Sequence, residues 1–168
     1  MPLRIRLRPA TDIDLEILVR FGAAMALETE HRRLDLIRLR EGILNMLGAP
    51  HRGFFRLAET VDHESKHIVG QLMVTYEWSD WRNGQFWWIQ SVYVDPAWRR
   101  QGIYQAMHEI IRREAKLTPG VCGLRLYVER ANRAAQRAYT RAGMHCAPYS
   151  VYEEDFVLPS PIEQEESR

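Results

Sequence analysis

Leucine and isoleucine alternate with arginine through Leu3-Arg8, a period of two that predicts a half-buried strand. Pro9 stops it. Thr11 with Asp14 three residues on is a capping-box pattern. The helix it starts places Ile13, Ile17, Phe21, Ala24 and Met25 on one face. A second helix runs from about Leu34 to Leu47, with Leu36, Leu39, Ile43 and Leu47 as its stripe, closed by Gly48 and Pro50. Gly53-Thr60 and His67-Trp78 read as strands, and the polar Asp62-Lys66 between them predicts a hairpin. Asn83-Gly84 is a second hairpin signal.

Trp87-Val94 is the next strand, rich in β-branched and aromatic residues and ended by Asp95-Pro96. A basic, glycine-containing turn follows, Arg99-Arg100-Gln101-Gly102. Apolar residues then recur at Ile103, Ala106, Met107, Ile110, Ile111 and Ala115, which is helical spacing, and Pro119-Gly120 marks the stop. Val121-Glu129 reads as a strand with Val121, Leu124, Leu126 and Val128 facing the core. The strand–helix–strand unit makes this pair locally parallel. Asn132 sits where a helix cap belongs. Ala134, Ala135, Ala138, Tyr139 and Ala142 form its small-residue face, and Gly143 ends it. Met144-Leu158 is strand-like, broken at Pro148. Residues 159–168 are a polar, proline-bearing tail, so a single domain is expected over 1–158.

Among these elements the basic turn carries chemistry. A strand, a basic glycine turn and a helix start present free backbone amides and the positive end of a helix dipole to an anion. Flanking arginines suit a diphosphate, because a guanidinium donates in a planar fork.

Composition narrows the alternatives. The 168 residues suit one domain. A net charge of +1, from 23 basic and 22 acidic residues, argues against a general nucleic-acid binder. Cys122 and Cys146 are too few for a disulfide framework and lack metal-ligand spacing, so two buried thiols and no metal are expected. The N-terminal MPLRIRLRPATD has no apolar core segment, and no apolar run is long enough to span a bilayer. No signal peptide, no membrane partner and a cytoplasmic location are expected.

Two motifs give the chain a family resemblance. Val94-Asp95-Pro96-Ala97-Trp98-Arg99-Arg100-Gln101-Gly102-Ile103-Tyr104 is similar to the V-x-P-x-x-R-x-x-G-x-(G/A) acetyl-CoA motif of the GNAT acetyltransferase superfamily. Asn132 to Tyr139, continuing to Gly143-Met144, resembles its N-x-x-A-x-x-x-Y-x-x-x-G-F/M motif. The resemblance covers roughly Arg4 to Val157. It implies an α/β (α+β) GNAT fold, with a mixed, mostly antiparallel sheet of six to seven strands, about four helices and a central βαβ unit. It implies an N-acetyltransferase using acetyl-CoA as cosubstrate. The CoA pyrophosphate would sit on the loop of Arg99, Arg100, Gln101, Gly102, Ile103 and Tyr104, where a Cβ at Gly102 would block close approach. Pantetheine would pair with Val92, Tyr93 and Val94, an amide near Val92 serving as oxyanion donor. Tyr139 would be the general acid for the departing thiolate. Asn132 would cap its helix and also touch the cofactor.

Two positions depart from the pattern. Tyr104 stands where many members have Gly or Ala, and its side chain is expected to point away from the phosphates. Gln90 stands where many relatives carry an acid, and a glutamine cannot accept a proton at neutral pH. The base is therefore either another carboxylate or water. Glu28, Glu30, Glu77, Asp80, Glu153 and Glu154 are the candidates. Glu77, Trp78 and Asp80, with Trp81, Trp87 and Trp88 nearby, would suit a cationic, partly apolar acceptor, though such tryptophans also serve cores and dimer interfaces. The expected acceptor is a small amine, amino acid or polyamine-like molecule. A peptide or protein amine and a non-catalytic CoA-binding domain are the alternatives. Transfer would be direct, in a ternary complex, since no cysteine lies in a nucleophile context. Family members often dimerise, which makes a homodimer a further expectation.

Overall fold

The computed structural model describes residues 4–61 and 66–158. Its elements are β1 (Ile5–Pro9), α1 (Leu15–Glu30), α2 (Leu36–Leu47), β2 (Gly53–Thr60), β3 (Ile68–Ser79), β4 (Gly84–Val94), α3 (Ile103–Leu117), β5 (Val121–Arg125) and α4 (Arg133–Arg141). The strands form one sheet in the order β1-β2-β3-β4-β5. The first three pairings are antiparallel and β4–β5 is parallel, so β4–α3–β5 is the expected βαβ unit. The fold is the expected mixed sheet with four helices, but it has five strands rather than six or seven.

The missing strands fall on Met144-Leu158. The segment has no regular structure, and Tyr149, Val151, Tyr152, Phe156 and Val157 are exposed. Alternation does not make a strand without a ladder to bond to. Here local bonding takes over near the end: Asp155 Oδ1 accepts from the amides of Val157 at 2.7 Å and Leu158 at 2.8 Å. β5 is also four residues shorter than expected, ending at Arg125. The 62–65 connection, the 159–168 tail and Leu3 lie outside the described residues.

Two apolar clusters flank the sheet. On one side Ile103, Met107, Ile111 and Ala115 of α3 pack on Val69, Leu72, Val74, Trp87 and Ile89. On the other, Leu18 and Val19 of α1 and Ile43 of α2 pack on Phe55 and Leu57. α1 begins one turn later than the sequence pattern suggests, after a 3-10 turn over Asp12–Asp14. Ile13 is therefore 92% exposed, and the buried face runs through Leu18, Val19, Phe21, Gly22 and Ala26 instead. Leu36, at the first turn of α2, is also exposed. Neither thiol is buried as expected: Cys122 is half-buried and Cys146 exposed.

The capping box does form. The Thr11 amide donates to Asp14 Oδ2 at 2.9 Å. Arg8 makes a forked contact to Asp14, 2.7 Å on each oxygen, and also donates to Glu59, which Arg6 Nε reaches at 3.0 Å. Arg8, with the Thr11 donors, more than offsets burial and holds the Asp14 carboxyl below its ordinary range. Burial pushes the Glu59 carboxyl up, but Arg8 and Arg6 outweigh it and hold it low.

Candidate active site

The site is organised by an irregularity in β4. Ser91 has φ 49°, and the β3–β4 register slips between Gln71↔Tyr93 and Met73↔Gln90. One extra residue on one strand is a β-bulge. Its consequence is a change of phase. Trp87 and Ile89 face α3, and so do Val92 and Val94. Trp88 and Gln90 face the other way, and so does Tyr93, whose ring meets Phe21 of α1 at 5.1 Å. Buried Gln71 sustains the bulge: its Nε2 donates to the Ser91 carbonyl at 3.3 Å.

Three residues before this point β4 loses its neighbour. The β4–β5 ladder ends at Trp88↔Arg125, while β4 runs on to Val94. The Asp95 amide donates to Val69 O at 2.9 Å. The alternation of an antiparallel ladder then points the amide and carbonyl of Val94 away from β3, toward the side β5 has left. Arg99 Nε reaches the Val94 carbonyl there, while the Val94 amide on this open edge needs a polar partner, which an extended ligand with amide carbonyls would offer.

At the end of β4 a 3-10 turn (Pro96–Trp98) leads into the basic loop. Arg100 (φ 63°) and Gly102 (φ 79°) both take left-handed conformations. Ala106 is the first α3 residue whose amide finds a backbone carbonyl, Gly102 O at 3.0 Å. The amides of Ile103, Tyr104 and Gln105 are thus the free donors of the helix start. A Cβ on Gly102 would meet no protein atom within 4 Å. The space beside the loop is open for a ligand, and the positive φ, not a clash with the protein, is what favours glycine. A cavity of about 610 Å³ runs from Gln101 and Gly102 past Gln105 and His108 to Arg141 and Gly143. Free amides, a bare strand edge and adjoining space fit an elongated thioester with a diphosphate.

α4 closes this side. Asn132 caps it, Oδ1 accepting from the Ala135 amide at 3.0 Å. Tyr139 meets the Tyr104 ring edge-on, centroids 5.4 Å apart. Burial pushes the Tyr139 phenol above its ordinary value.

A profile described as the Acetyltransferase (GNAT) family matches residues 22–144. The chain belongs to the GNAT acetyltransferase family. It is an acyltransferase, and acetyl-CoA is the family's acetyl donor. A possible acetyltransferase from Clostridium difficile 630 is 37% identical, with a TM-score of 0.82 over 92% of this chain and 99% of that one. A predicted acetyltransferase with acetyl-CoA from Clostridium acetobutylicum is 18% identical (TM-score 0.70, 90% and 96% covered). Glucosamine-6-phosphate N-acetyltransferase from Arabidopsis thaliana is 16% identical (TM-score 0.63, 92% and 99% covered). The last two show likeness of fold. No curated protein sequence matches the chain. Among the described residues no helix is long and apolar enough to cross a membrane, and no group of three or more His, Cys, Asp or Glu could hold a metal ion.

Within this GNAT domain the residues expected to bind the acceptor separate. Glu77 and Gln90 come together on the sheet face away from α3. Trp88 Nε1 donates to Glu77 Oε2 at 2.6 Å, and Arg125 pairs with Glu77 Oε1. Gln90 donates to Thr75 Oγ1, and its Oε1 accepts from Tyr127 at 3.4 Å. The Tyr127 ring lies 5.1 Å from Trp88. Glu28 belongs elsewhere: it accepts from Tyr93 at 2.9 Å and from Arg99 at 2.7 Å. Arg99 also donates to Val94 O at 2.8 Å, so its guanidinium ties α1 to the end of β4. Glu30 is exposed, 3.9 Å from Arg32. Trp78 and Asp80 sit at the β3–β4 hairpin end. Trp78 is paired with Gln85, five residues or about 17 Å of strand from Gln90. Thr75, Arg125, Tyr127, Gln71 and Ser91 carried no sequence signal. They are gathered by register, which local pattern does not reveal.

Proposed function

We propose that this acetyltransferase transfers the acetyl group of acetyl-CoA directly to a primary amine of a small molecule: an amine, an amino acid or a polyamine-like compound. One observation carries the reading. The bare β4 edge, the bulge and the free amides of the basic loop are continuous, so one extended thioester can lie along all three.

The loop from Arg99 to Tyr104 supplies amides to the diphosphate, with Arg100 as the free-lying arginine. Val92 and Val94 offer backbone groups to the pantetheine amides, and the Val92 amide polarises the thioester carbonyl. Asn132 fixes the start of α4 and lies beside the same ligand. The acceptor enters from the opposite sheet face, along Glu77, Trp88, Gln90 and Tyr127. Attack by the neutral amine on the carbonyl carbon gives a tetrahedral adduct. Its collapse breaks the C–S bond, and Tyr139 gives its proton to the sulfur.

The amine proton leaves through water in this scheme. Both oxygens of Glu77 are already engaged, and so are both of Glu28. Gln90, the residue standing where an acid was expected, cannot take up a proton. The half-buried Trp88 ring beside Glu77 and the exposed Tyr127 ring next to it favour a cationic acceptor with an apolar part.

A thiol-reagent assay of CoA release tests this, with acetyl-CoA and spermidine, tryptamine, L-lysine, glucosamine and a short peptide with a free N-terminus. Turnover with one or more of the small amines is expected. Turnover with the peptide alone would replace the acceptor class, and release with hydroxyl or anionic acceptors only would overturn the reading. In the same assay Tyr139→Phe is expected to lower kcat about 100-fold with acetyl-CoA affinity unchanged by calorimetry. Normal turnover would remove Tyr139 from the acid role.

A further inference from the structure

Tyr139 has a neighbour that the reaction scheme leaves unused. Tyr104, the second residue of α3, stands where the family motif has Gly or Ala. Its ring presents an edge to the Tyr139 ring at 66°, centroids 5.4 Å apart. One helical turn along, the His108 ring lies 6.0 Å from Tyr104 on the same face of α3. His108 is 2% exposed, and burial holds its imidazole below its ordinary value, toward the neutral form. The three rings form a column from the α3 core to the α4 phenol.

No hydrogen bond to the protein holds the inner part of this column. Tyr104 Oη and His108 Nε2 are both buried without a protein partner. The seat is therefore made by ring shape, and an edge-to-face pair is worth about 0.5–1.5 kcal/mol beyond its buried area. α4 is otherwise poorly placed to hold Tyr139 still. It is nine residues long, none of them fully buried, and the other residues of its inward face are mostly alanines. A phenol that must meet a departing sulfur needs a fixed direction, since a misplacement of about 1 Å can cost 100-fold in rate. A small residue at position 104 would leave the Tyr139 ring without this wall.

We propose that Tyr104, backed by His108, is a positioning residue that holds the Tyr139 ring in the orientation needed for acetyl transfer. The proposal rests on the assignment of Tyr139 as the acid. It goes beyond that assignment by naming what makes the acid competent in this chain.

The test uses the full chain carrying Tyr104→Leu, which keeps apolar bulk but removes the ring, and Tyr104→Phe, which keeps the ring. The first readout needs no ligand. In protein labelled with ring-13C tyrosine, the Tyr139 signals are assigned by their loss in Tyr139→Phe. They are expected to move toward random-coil positions in Tyr104→Leu and to stay in place in Tyr104→Phe. The second readout is turnover with acetyl-CoA and spermidine, or the screened amine that turns over fastest. Tyr104→Leu should lower kcat about 10-fold with the KM for acetyl-CoA unchanged, and Tyr104→Phe should restore it. In a Tyr139→Phe background Tyr104→Leu should cost nothing further.

Tyr139 signals that stay put in Tyr104→Leu overturn the proposal. So does a rate loss that persists undiminished in the Tyr139→Phe background, or a change confined to KM. Normal turnover in Tyr139→Phe alone overturns the acid assignment and the proposal with it. A large Tyr139→Phe loss with no coupling to Tyr104 overturns the proposal alone.

Discussion

The two faces of β4 do different work on one backbone. Toward α3, Trp87 and Ile89 are buried against Met107 and Ile111, and Val92 and Val94 continue the same apolar contact. β3 carries Gly70 opposite Val94, where a Cβ would come within 3.3 Å of Met107 Sδ. That face fixes where α3 starts, and so where its free amides point. Away from α3, Trp88, Gln90, Glu77 and Tyr127 are half-buried or exposed and bonded to one another and to Thr75 and Arg125. Density locates the basic loop proposed for the donor, while a hydrogen-bonded polar wall lies on the side proposed for the acceptor. The difference teaches that the proposed donor site is a product of the core and the proposed acceptor site a product of its margin.

Substitutions can break this division of labour. Gly102→Glu should have the largest effect. It forces a side chain into a left-handed φ and puts a carboxylate where the diphosphate would lie, so CoA binding should fall below detection by calorimetry. Normal affinity would contradict the loop assignment. Met107→Ala, at a fully buried position, should lower stability by about 2–5 kcal/mol in denaturant unfolding. Its KM for the amine should stay unchanged. Gln90→Leu should do the reverse. Its cost in stability should be about 1 kcal/mol or less, while the KM for the amine rises several-fold. Equal effects of these two changes on stability and on KM would dissolve the comparison.

The mildest expectation concerns neither face. Asp14 and Glu59 have carboxyls held low in the folded chain by Arg8 and Arg6. A depressed folded value stabilises above the unfolded value of about 4 and is lost as pH falls through the folded value. Melting temperature should therefore drop below about pH 4. Asp14→Asn should shrink that drop while leaving CoA affinity unchanged at neutral pH.

The strand end, basic turn and helix start proposed for the donor were legible in the sequence because they are contiguous. Val94 to Tyr104 is one run in which strand end, basic turn and helix start follow each other, and local chemistry suffices to read it. Asn132 was likewise a cap in both readings. The proposed acceptor wall was not legible because it draws its residues from β3, from β4 and from the segment that follows β5. Glu77, Gln90 and Tyr127 meet only when register, bulge and strand twist are known. Arg99 shows the same limit. Its charge suggested a phosphate ligand, yet its guanidinium is occupied by Glu28, 71 positions away. Met144-Leu158 erred the other way, since its alternation is real but no strand lies beside it to complete a ladder.

Ser91 has a consequence beyond the site it bends. With that residue present, β4 acts as two short strands spliced half a period out of step. Val92 reaches the donor side and Tyr93 reaches α1 only because one position is spent on the splice. Remove it, and every side chain from Val92 to Val94 exchanges faces, placing Tyr93 against Met107 and Val94 toward Glu28. Along this strand the number of residues, independent of their identity, keeps the sides proposed for the thioester and for its acceptor on opposite faces of one backbone.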